Sequence, residues 1–276
     1  MKARRLECRD LAGLQALGAA WRDLFRAARP PAPFLSWEWH AAWVKTHPRA
    51  GRPWLVGEYF DDGRLAGLAA FRSSRGYGVT RLEPLAAGSG TDEFDLLLHP
   101  EADADLPARL LDEYWHSRRW QLAHWEAVRR DGALRRDLQQ RAAEHNIALR
   151  EDEGDALPLL RLPDSMETLL AQRSANFRAE IRRRRRHLEQ GVVGVSVQCL
   201  ETPEELHAAL PVLFALHNRR RRQKRQRGIF ERTALCGFHT TLAALLAPLG
   251  HVRLYVLYVK EQPIAALYGF AFQQRF

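Results

Sequence analysis

The chain contains an internal repeat, which constrains its fold more than any other feature of the sequence. At an offset of 199 residues and without a gap, Trp39-His40 aligns with Phe238-His239, and Gly51 aligns with Gly250. The segment WLVGEYFDDGRLAGLAAF then aligns with RLYVLYVKEQPIAALYGF, with five identical positions. Self-similarity of this kind predicts that the chain joins two copies of one structural unit.

The same order of elements is predicted in both copies. In the first copy, residues 4–9 form a strand and residues 11–29 a helix, and Ser36 caps a second helix. Two apolar runs around Asp61-Asp62-Gly63 then predict a β-hairpin. In the second copy, VVGVSVQCL is a strand and Thr202-Pro203-Glu204-Glu205 starts a helix. A further helix from about Arg232 to Leu249 leads to a second hairpin.

A cysteine register extends the repeat upstream. Cys8 aligns with Cys199 at an offset of 191, so eight extra residues would lie between that strand and the hairpin of the second copy. The basic run RRRRQKRQRG falls in this interval.

The two copies differ on the C-terminal side of the hairpin. After the first hairpin, VTRLEPLAA, EFDLLLH, QLAHWEAV and IALRED read as strands, with helices over 102–116 and 133–145. A boundary near Pro163 divides the chain into domains 1–163 and 164–276. Only six residues follow Phe270, so we expect the second domain to be truncated after its hairpin, with 269–276 an uncovered edge strand. The predicted fold class is α/β, with mixed sheets flanked by helices in two related lobes, the second incomplete.

Charge is concentrated near the start of the second copy. The formal net charge is +9, and residues 178–227 hold 13 basic and five acidic residues, a net charge of +8. Arginine presents a planar set of donors that matches phosphate. A solvated, arginine-rich helix surface is the alternative interpretation.

Several classes of protein are excluded. Three cysteines without a CxxC pair support neither a disulfide framework nor a zinc ribbon, and no other metal-ligand spacing or nucleotide-binding glycine motif occurs. No uncharged apolar run is long enough to span a membrane, and the first residues lack the pattern of a signal peptide. We therefore expect a cytoplasmic protein.

The candidate catalytic residues are His217 and Asp92. His217 continues the apolar helical stripe of Leu206, Leu210 and Leu213, and its side chain can accept a proton near neutral pH. A histidine satisfied at the edge of the core is the alternative. Asp92 belongs to TDEFD, which supplies either a carboxylate base or a turn carboxylate that caps backbone amides.

The candidate substrate-binding residues carry guanidinium or phenol groups. The predicted set is Arg178, Arg182, Arg220, Tyr255 and Tyr268. Arg178 and Arg182 share a helix face and can converge on a phosphate or a carboxylate, or they pair with glutamates. His239 lies in the repeated aromatic-His pair, which favours a packing role.

The sequence resembles the GNAT-type acyltransferases, and in particular the tandem-GNAT group associated with cellulose and exopolysaccharide biosynthesis. The resemblance is carried by PFLSWEWHAAWVKTHP, LVGEYFDDGRLAGLAAF, GTDEFDLLLHP, FRAEIRRRRRHLEQ, LFALHNRR and VRLYVLYVKEQPIAALYGF. It implies acetyl-CoA or another acyl-CoA as co-substrate, no metal, and an amine or hydroxyl acceptor such as a sugar nucleotide or polysaccharide precursor.

Two alternatives arise from the same features. The double fold also occurs in Fem-type aminoacyltransferases, for which the 178–227 segment would hold aminoacyl-tRNA. A non-catalytic binder of nucleic acid or of an anionic surface is the alternative outside the enzymes. The family's pyrophosphate sits on free amides at a helix start, and the corresponding first-domain turn AAGSGTDEF is not a basic glycine-rich loop.

Overall fold

Two β-sheets carry the fold, and each contains one of the two predicted hairpins. The computed structural model describes residues 4–29, 33–117, 119–154, 156–191, 194–272 and 276. We call the following strands and helices the first lobe: β1 (Arg4–Cys8), α1 (Leu11–Ala16), α2 (Gly18–Ala28), α3 (Trp37–Thr46), β2 (Arg52–Tyr59), β3 (Leu65–Gly76), β4 (Val79–Pro84), β5 (Leu97–Leu98), α4 (Leu106–Ser117), β6 (Leu122–Ala123) and α5 (Ala133–Glu144). The sheet of this lobe has the strand order β1-β2-β3-β4-β6, with β5 paired to β3.

The second sheet consists of three antiparallel strands in the order β7-β8-β9. The helices α8 and α9 connect its first two strands, as α1 to α3 do in the first lobe. The remaining elements are α6 (Met166–Ala171), α7 (Ala175–Gly191), β7 (Val195–Leu200), α8 (Pro203–Gln223), α9 (Thr233–Leu246), β8 (Val252–Val259) and β9 (Gln262–Phe270). We call β7 to β9 together with α8 and α9 the second lobe.

The fold class is α/β with a mixed sheet flanked by helices, as predicted. In the first sheet β4 and β6 run parallel, and α4 lies in the crossover between them. A parallel pair requires a crossover of this kind, whereas the antiparallel pairs β2–β3 and β8–β9 need only tight turns. None of the helices in the described part of the chain combines the length and the apolar character needed to cross a membrane.

The predicted helix starts are confirmed by their hydrogen bonds. Ser36 accepts from the Trp39 amide at the start of α3. Thr202 and Glu205 form the reciprocal capping box of α8, in which each side chain accepts from the other residue's backbone amide. These motifs involve neighbours three residues apart, so the local sequence suffices to predict them.

The segment IALRED is not a strand, contrary to its prediction. The Ile147 amide donates to the Ala142 carbonyl at 2.9 Å, and Asn146 has a positive φ of 51°. These residues therefore complete the end of α5. Leu149 and the described apolar residues up to Leu162 lie exposed, and no strand among the described residues pairs with them.

The helices α3 and α9, which the repeat aligns with each other, pack together between the two sheets. The Trp39 ring lies 5.1 Å from the Phe238 ring and 5.6 Å from the Phe270 ring, in edge-on geometry. One hydrophobic core therefore includes Trp39 and Trp43 of α3 together with Phe238 and Leu242 of α9. Edge-on aromatic contacts of this kind add to the free energy gained by burying the rings.

The cysteine register is wrong by one residue. Leu55 pairs with Cys8, whereas its counterpart Leu254 pairs with Leu200. Cys8 is therefore equivalent to Leu200, and Cys199 points to the other face of its sheet. Cys8 is buried and Cys199 is exposed, in agreement with this assignment.

The second strands of the two hairpins, β3 and β9, are also shifted by one residue relative to the ungapped alignment. The bulges between Glu58 and Tyr59 and between Leu257 and Tyr258 match at the offset of 199. However, the second turn has only Lys260 and Glu261, both at positive φ, between its paired ends.

The shorter turn reverses the faces of the aligned residues in β9. Phe71 packs on Tyr114 of α4, whereas Phe270 packs on Trp39, on the opposite side of its sheet. Leu68 is buried and Leu267 is exposed. The identities Ala66/Ala265, Leu68/Leu267 and Phe71/Phe270 are therefore not structural equivalences.

Candidate functional site

Four polar atoms without hydrogen-bond partners lie together in the second lobe. They are His217 Nε2, Asn218 Oδ1, His239 Nδ1 and the Tyr268 hydroxyl, each buried and each unpartnered among the described residues. The Phe230 ring lies 5.0 Å from the His217 ring and 5.3 Å from the His239 ring. We call His217, Asn218, Phe230, His239 and Tyr268 the buried polar cluster.

A buried polar atom without a partner destabilises the folded state by about 1–3 kcal/mol. Most buried polar groups in proteins therefore have a partner, and an exception requires an explanation. The rings of His239 and Tyr268 lie 5.7 Å apart, so the unpartnered groups belong to adjacent side chains of one region. The arrangement is suited to a polar ligand that accepts from the phenol and bonds to the imidazoles.

The apolar stripe of α8 positions His217. Leu206, Leu210 and Leu213 are buried on one face of the helix, as predicted. His217 follows on the same face, four residues after Leu213, where the helix leaves the core. The stripe thus places a titratable ring at the edge of the core.

A close backbone approach fixes Asn218. A Cβ atom at Gly228 would lie 2.1 Å from Asn218 Oδ1 and 3.0 Å from Asn218 Cα. A side chain at position 228 would displace the Asn218 amide group, so glycine suits this close approach to α8. The following turn, Ile229–Glu231, then places Phe230 between the two histidines.

The repeated histidines differ in their hydrogen bonding. His40 Nδ1 lies 2.8 Å from the Ser36 carbonyl, whereas His239 Nδ1 has no partner among the described residues. Both rings are buried. His239 does pack against Phe230, Phe238 and Tyr268, as expected. None of these ring contacts provides a hydrogen bond to His239 Nδ1.

Burial controls the protonation of the cluster. Loss of solvent lowers the pKa of His239 to about 4 and raises the pKa of Tyr268. Burial and then the charge of Arg221 lower the pKa of His217. At neutral pH both imidazoles are therefore uncharged and can accept a proton, and the phenol retains its proton.

The TDEFD segment lies in the first lobe, in the loop between β4 and β5. Asp95 accepts from the amides of Ala133 and Leu134 at 3.1 and 2.9 Å, so it caps α5. The capping interpretation therefore holds for Asp95. Asp92 has no hydrogen bond or ion pair among the described residues, and partial burial raises its pKa. Its role as a base remains a prediction.

Replacing Asp95 with alanine is expected to lower the free energy of unfolding by about 1–2 kcal/mol, because α5 loses the acceptor for two of its first amides. Urea denaturation measures this change. Asp92→Ala is the matched control and should alter stability by less than about 0.5 kcal/mol. Equal effects of the two variants would contradict the capping role.

The structure does not bring the predicted arginines Arg178 and Arg182 to His217. They lie on α7, which is exposed along most of its length, and Arg178 donates to the Arg173 carbonyl at 2.7 Å. No hydrogen bond or ion pair of the described residues joins either side chain to the buried polar cluster. Arg220 lies in the last turn of α8, close to His217 in sequence.

Tyr255 and Tyr268 lie on opposite faces of the second sheet. Val252, Leu254 and Val256 of β8 are buried against the helices, so Tyr255 points away from them. Tyr268 lies beside His239. The structure therefore brings Tyr268, and not Tyr255, to the buried polar cluster, and a role of either tyrosine in substrate binding remains a prediction.

The first lobe does not fit the pyrophosphate of an acyl-CoA at the helix starts that follow β4. Asp95 already occupies the first amides of α5. Before α4, the Asp103 carboxylate accepts from the Asp105 amide and pairs with Arg109 at 2.8 Å. At α5 a carboxylate takes the donors that a phosphate would use, and before α4 the charge of Asp103 repels a phosphate.

A cleft of about 290 Å³ in the first lobe also has its charges largely paired. Glu93, Asp95 and Arg129 line it. Arg129 pairs with Glu93 at 3.3 Å, and Asp95 caps α5. Among the residues that the structure describes, no group of three or more histidine, cysteine or acidic side chains could hold a metal ion.

The part of the chain that holds the buried polar cluster is also the part that matches a known family. Residues 175–276 match the acetyltransferase (GNAT) domain family. This match supports acyltransferase activity for the GNAT segment, as residues 175–276 are called below. Among curated proteins, none matches the chain.

Three solved structures are similar in outline. A conserved protein of unknown function from Bacteroides thetaiotaomicron VPI-5482 is 11% identical over 95% of this chain and 75% of its own, with a TM-score of 0.47. The ribosomal-protein-alanine N-acetyltransferase from Brucella melitensis biovar Abortus 2308 is 14% identical over 58% of this chain and all of its own, with a TM-score of 0.32. A GCN5-related glucosamine N-acetyltransferase region in a fungal multi-domain GH3 β-N-acetylglucosaminidase is 13% identical over 96% of this chain and 28% of its own, with a TM-score of 0.33.

Sequence reasoning missed Asn218 and the free nitrogen of His239. Asn218 stands directly between His217 and the arginine run, in the GNAT segment. A polar His-Asn pair at the end of an apolar stripe was a signal for a site. No local pattern could have shown that His239 lacks the acceptor that His40 finds.

Proposed function

We propose that the chain is an acyl-CoA-dependent N- or O-acetyltransferase whose acceptor reacts at the buried polar cluster. The observation that carries this proposal is the group of four buried, unpartnered polar atoms inside the GNAT segment. A sugar nucleotide or a polysaccharide precursor is the proposed class of acceptor, from the resemblance of the quoted segments. Domains 1–163 and 164–276 are proposed as a tandem pair of GNAT-like lobes.

The chemistry depends on the protonation states of the cluster. An acyl-CoA supplies an activated thioester carbonyl. His217 Nε2, neutral at pH 7, accepts the proton that the acceptor amine or hydroxyl releases as it attacks that carbonyl. The C–S bond of the thioester then breaks, and coenzyme A leaves as the thiol, taking up that proton. The Tyr268 hydroxyl donates a hydrogen bond to oxygen as negative charge develops there, which stabilises the transition state. His239 and Asn218 orient the acceptor.

A cytoplasmic location is part of the proposal. Cys8, Cys199 and Cys236 are free thiols in the structure. Free thiols persist in reducing compartments, where acyl-CoA is also available to such an enzyme.

The test is thiol release from acetyl-CoA with a panel of amino sugars, sugar nucleotides and oligosaccharides. Tyr268→Phe removes one hydroxyl and is expected to lower kcat/KM by roughly 5- to 150-fold, which corresponds to about 1–3 kcal/mol for a buried hydrogen bond. Tyr255→Phe removes the same group from the opposite face of the same sheet and should retain full activity.

Two results would contradict the proposal. One is equal activity of the Tyr268→Phe and Tyr255→Phe variants, because the site would then lie elsewhere. The other is the absence of acceptor-dependent thiol release across the whole panel.

A further inference from the structure

A run of basic side chains without ion pairs begins beside the buried polar cluster. Between residues 219 and 227 there are seven basic residues and no acidic one. We call this segment, Arg219 to Arg227, the basic return. No ion pair reaches any of its side chains among the described residues; the one side-chain bond within it joins Arg221 to Gln226 Oε1 at 2.9 Å.

The other arginine cluster of the chain, on α7, is partly neutralised by two glutamates. On α7, Glu180 pairs with Arg183 at 2.8 Å and with Arg184 at 2.6 Å, and Glu189 pairs with Arg185 at 2.7 Å. Opposite charges at i, i+3 and i, i+4 stabilise an exposed helix. Arg183, Arg184 and Arg185 of α7 therefore have a structural explanation that the side chains of the basic return do not have.

The backbone folds the basic return against the buried polar cluster. The Gln226 amide donates to the Arg221 carbonyl at 2.9 Å, and Arg225 adopts a positive φ of 56°. The chain thereby reverses at the end of α8, and Gly228 closes onto Asn218. Arg227 directly precedes the glycine that lies against Asn218, and Arg221 lies one helical turn beyond His217.

The position of Arg221 has an electrostatic effect on the cluster. Its charge contributes to the lowered pKa of His217. The positive charge of Arg221 disfavours the protonated form of His217. The helix macrodipole favours cations near the last turn of a helix. Lys224 is the C-cap of α8, whereas Arg225 and Arg227 lie beyond the helix end, where the macrodipole does not account for them.

We infer that the basic return binds the phosphate groups of a small substrate whose reacting end lies in the buried polar cluster. This inference rests on the proposed function and names the chemistry of its substrate. A diphosphate is the shared group, since it is present both in coenzyme A and in sugar nucleotides. Arginine forks match phosphate oxygens, and a diphosphate brings the negative charge that this segment lacks.

The segment fits a small anion better than a nucleic acid. Binding of single-stranded nucleic acid relies on aromatic side chains that stack on bases. Residues 219–227 contain no aromatic side chain. The basic return is also short and adjoins a buried polar cluster, so it is suited to one end of a small molecule.

Calorimetric binding of three ligands tests the inference: inorganic pyrophosphate, coenzyme A and uridine diphosphate N-acetylglucosamine. The double variant Arg221→Gln/Arg227→Gln is expected to weaken binding by about 10-fold or more, because charge-assisted hydrogen bonds are lost. Arg183→Gln/Arg184→Gln removes the same charge from α7 and should change affinity less than about twofold. If the Arg221→Gln/Arg227→Gln variant loses affinity for coenzyme A, the basic return binds the acyl donor. If it loses affinity for the sugar nucleotide, the basic return binds the acceptor.

A second readout is the titration of His217 by NMR with and without pyrophosphate. A bound anion offsets the charge of Arg221, so the pKa of His217 should rise. Equal weakening in both double variants would overturn the inference. So would binding of a 20-nucleotide RNA in the absence of any small-anion binding. These measurements need no turnover, so anion binding without acetyl transfer would refute the proposed function alone.

Discussion

Replacing His217 with glutamine is expected to lower kcat/KM for acetyl transfer by about 10²- to 10⁴-fold. Glutamine retains hydrogen-bonding capacity at a similar size but cannot accept a proton. His217 Nε2 has no partner among the described residues, so the substitution breaks no existing hydrogen bond. The loss should therefore appear in activity, with little change in the free energy of unfolding.

The pH dependence of kcat/KM for the unmodified protein tests the direction of the pKa shift of His217. Burial and Arg221 lower the pKa of His217, so its neutral form dominates further into the acid range than for a solvated histidine. The acid limb of kcat/KM should accordingly lie below pH 6.5, the ordinary pKa of the side chain. His217→Gln should abolish that limb. Arg221→Gln should move it to higher pH, because the repelling charge is gone.

His207→Gln is the control, since His207 lies exposed on the same helix. It should retain both the rate and the pH profile. If His217→Gln retained the acid limb, another group would be the base, and Asp92 would be the first to examine.

Local patterns predicted the helices and strands but not which residues of the two copies are structurally equivalent. The capping box of Thr202 and Glu205 and the apolar stripe leading to His217 involve residues within one or two helical turns. Such contacts form wherever the helix forms. The repeat likewise identified the two hairpins and the pair α3 and α9.

The predictions were wrong where a difference of one residue in length moves the side chains of a strand to the other face of its sheet. Because strand side chains alternate, the shorter turn at Lys260-Glu261 moves each aligned residue of β9 to the other side of its sheet. The number of identities cannot reveal this shift. The same alternation places Tyr255 and Tyr268 on opposite faces of the second sheet. Neither helical periodicity nor composition could have predicted this.

The sequence predicts some residues of the candidate site but not their hydrogen bonding. His217 and Tyr268 follow from residue type and placement, but an unpartnered atom is a property of the tertiary structure. His40 and His239 occupy matching positions, and only the packed structure shows that one finds a carbonyl and the other does not. The difference between two repeated residues therefore carries more functional information than the repetition itself.

Trp39→Ala is expected to lower the free energy of unfolding by about 3–5 kcal/mol, the usual cost of removing a buried aromatic side chain. Trp39 is 1% exposed and contacts Phe34, Phe238 and Phe270. Its indole also donates to the Ser89 hydroxyl at 3.0 Å, and Ser89 is itself buried. Thermal and urea denaturation measure the loss.

The matched control is Trp54→Ala, because Trp54 is equally buried but packs on Tyr114, on the side of the first sheet away from α9. Both substitutions should reduce global stability by a similar amount. Native-state hydrogen exchange then separates them. Trp39→Ala should accelerate exchange in β8 and β9 as well as in β2, because its ring touches Phe238 and Phe270 of the second lobe. Trp54→Ala should accelerate exchange in β2 and β3 and leave β8 and β9 protected. If β8 and β9 responded equally to both variants, the contact between α3 and α9 would not be what couples the two sheets.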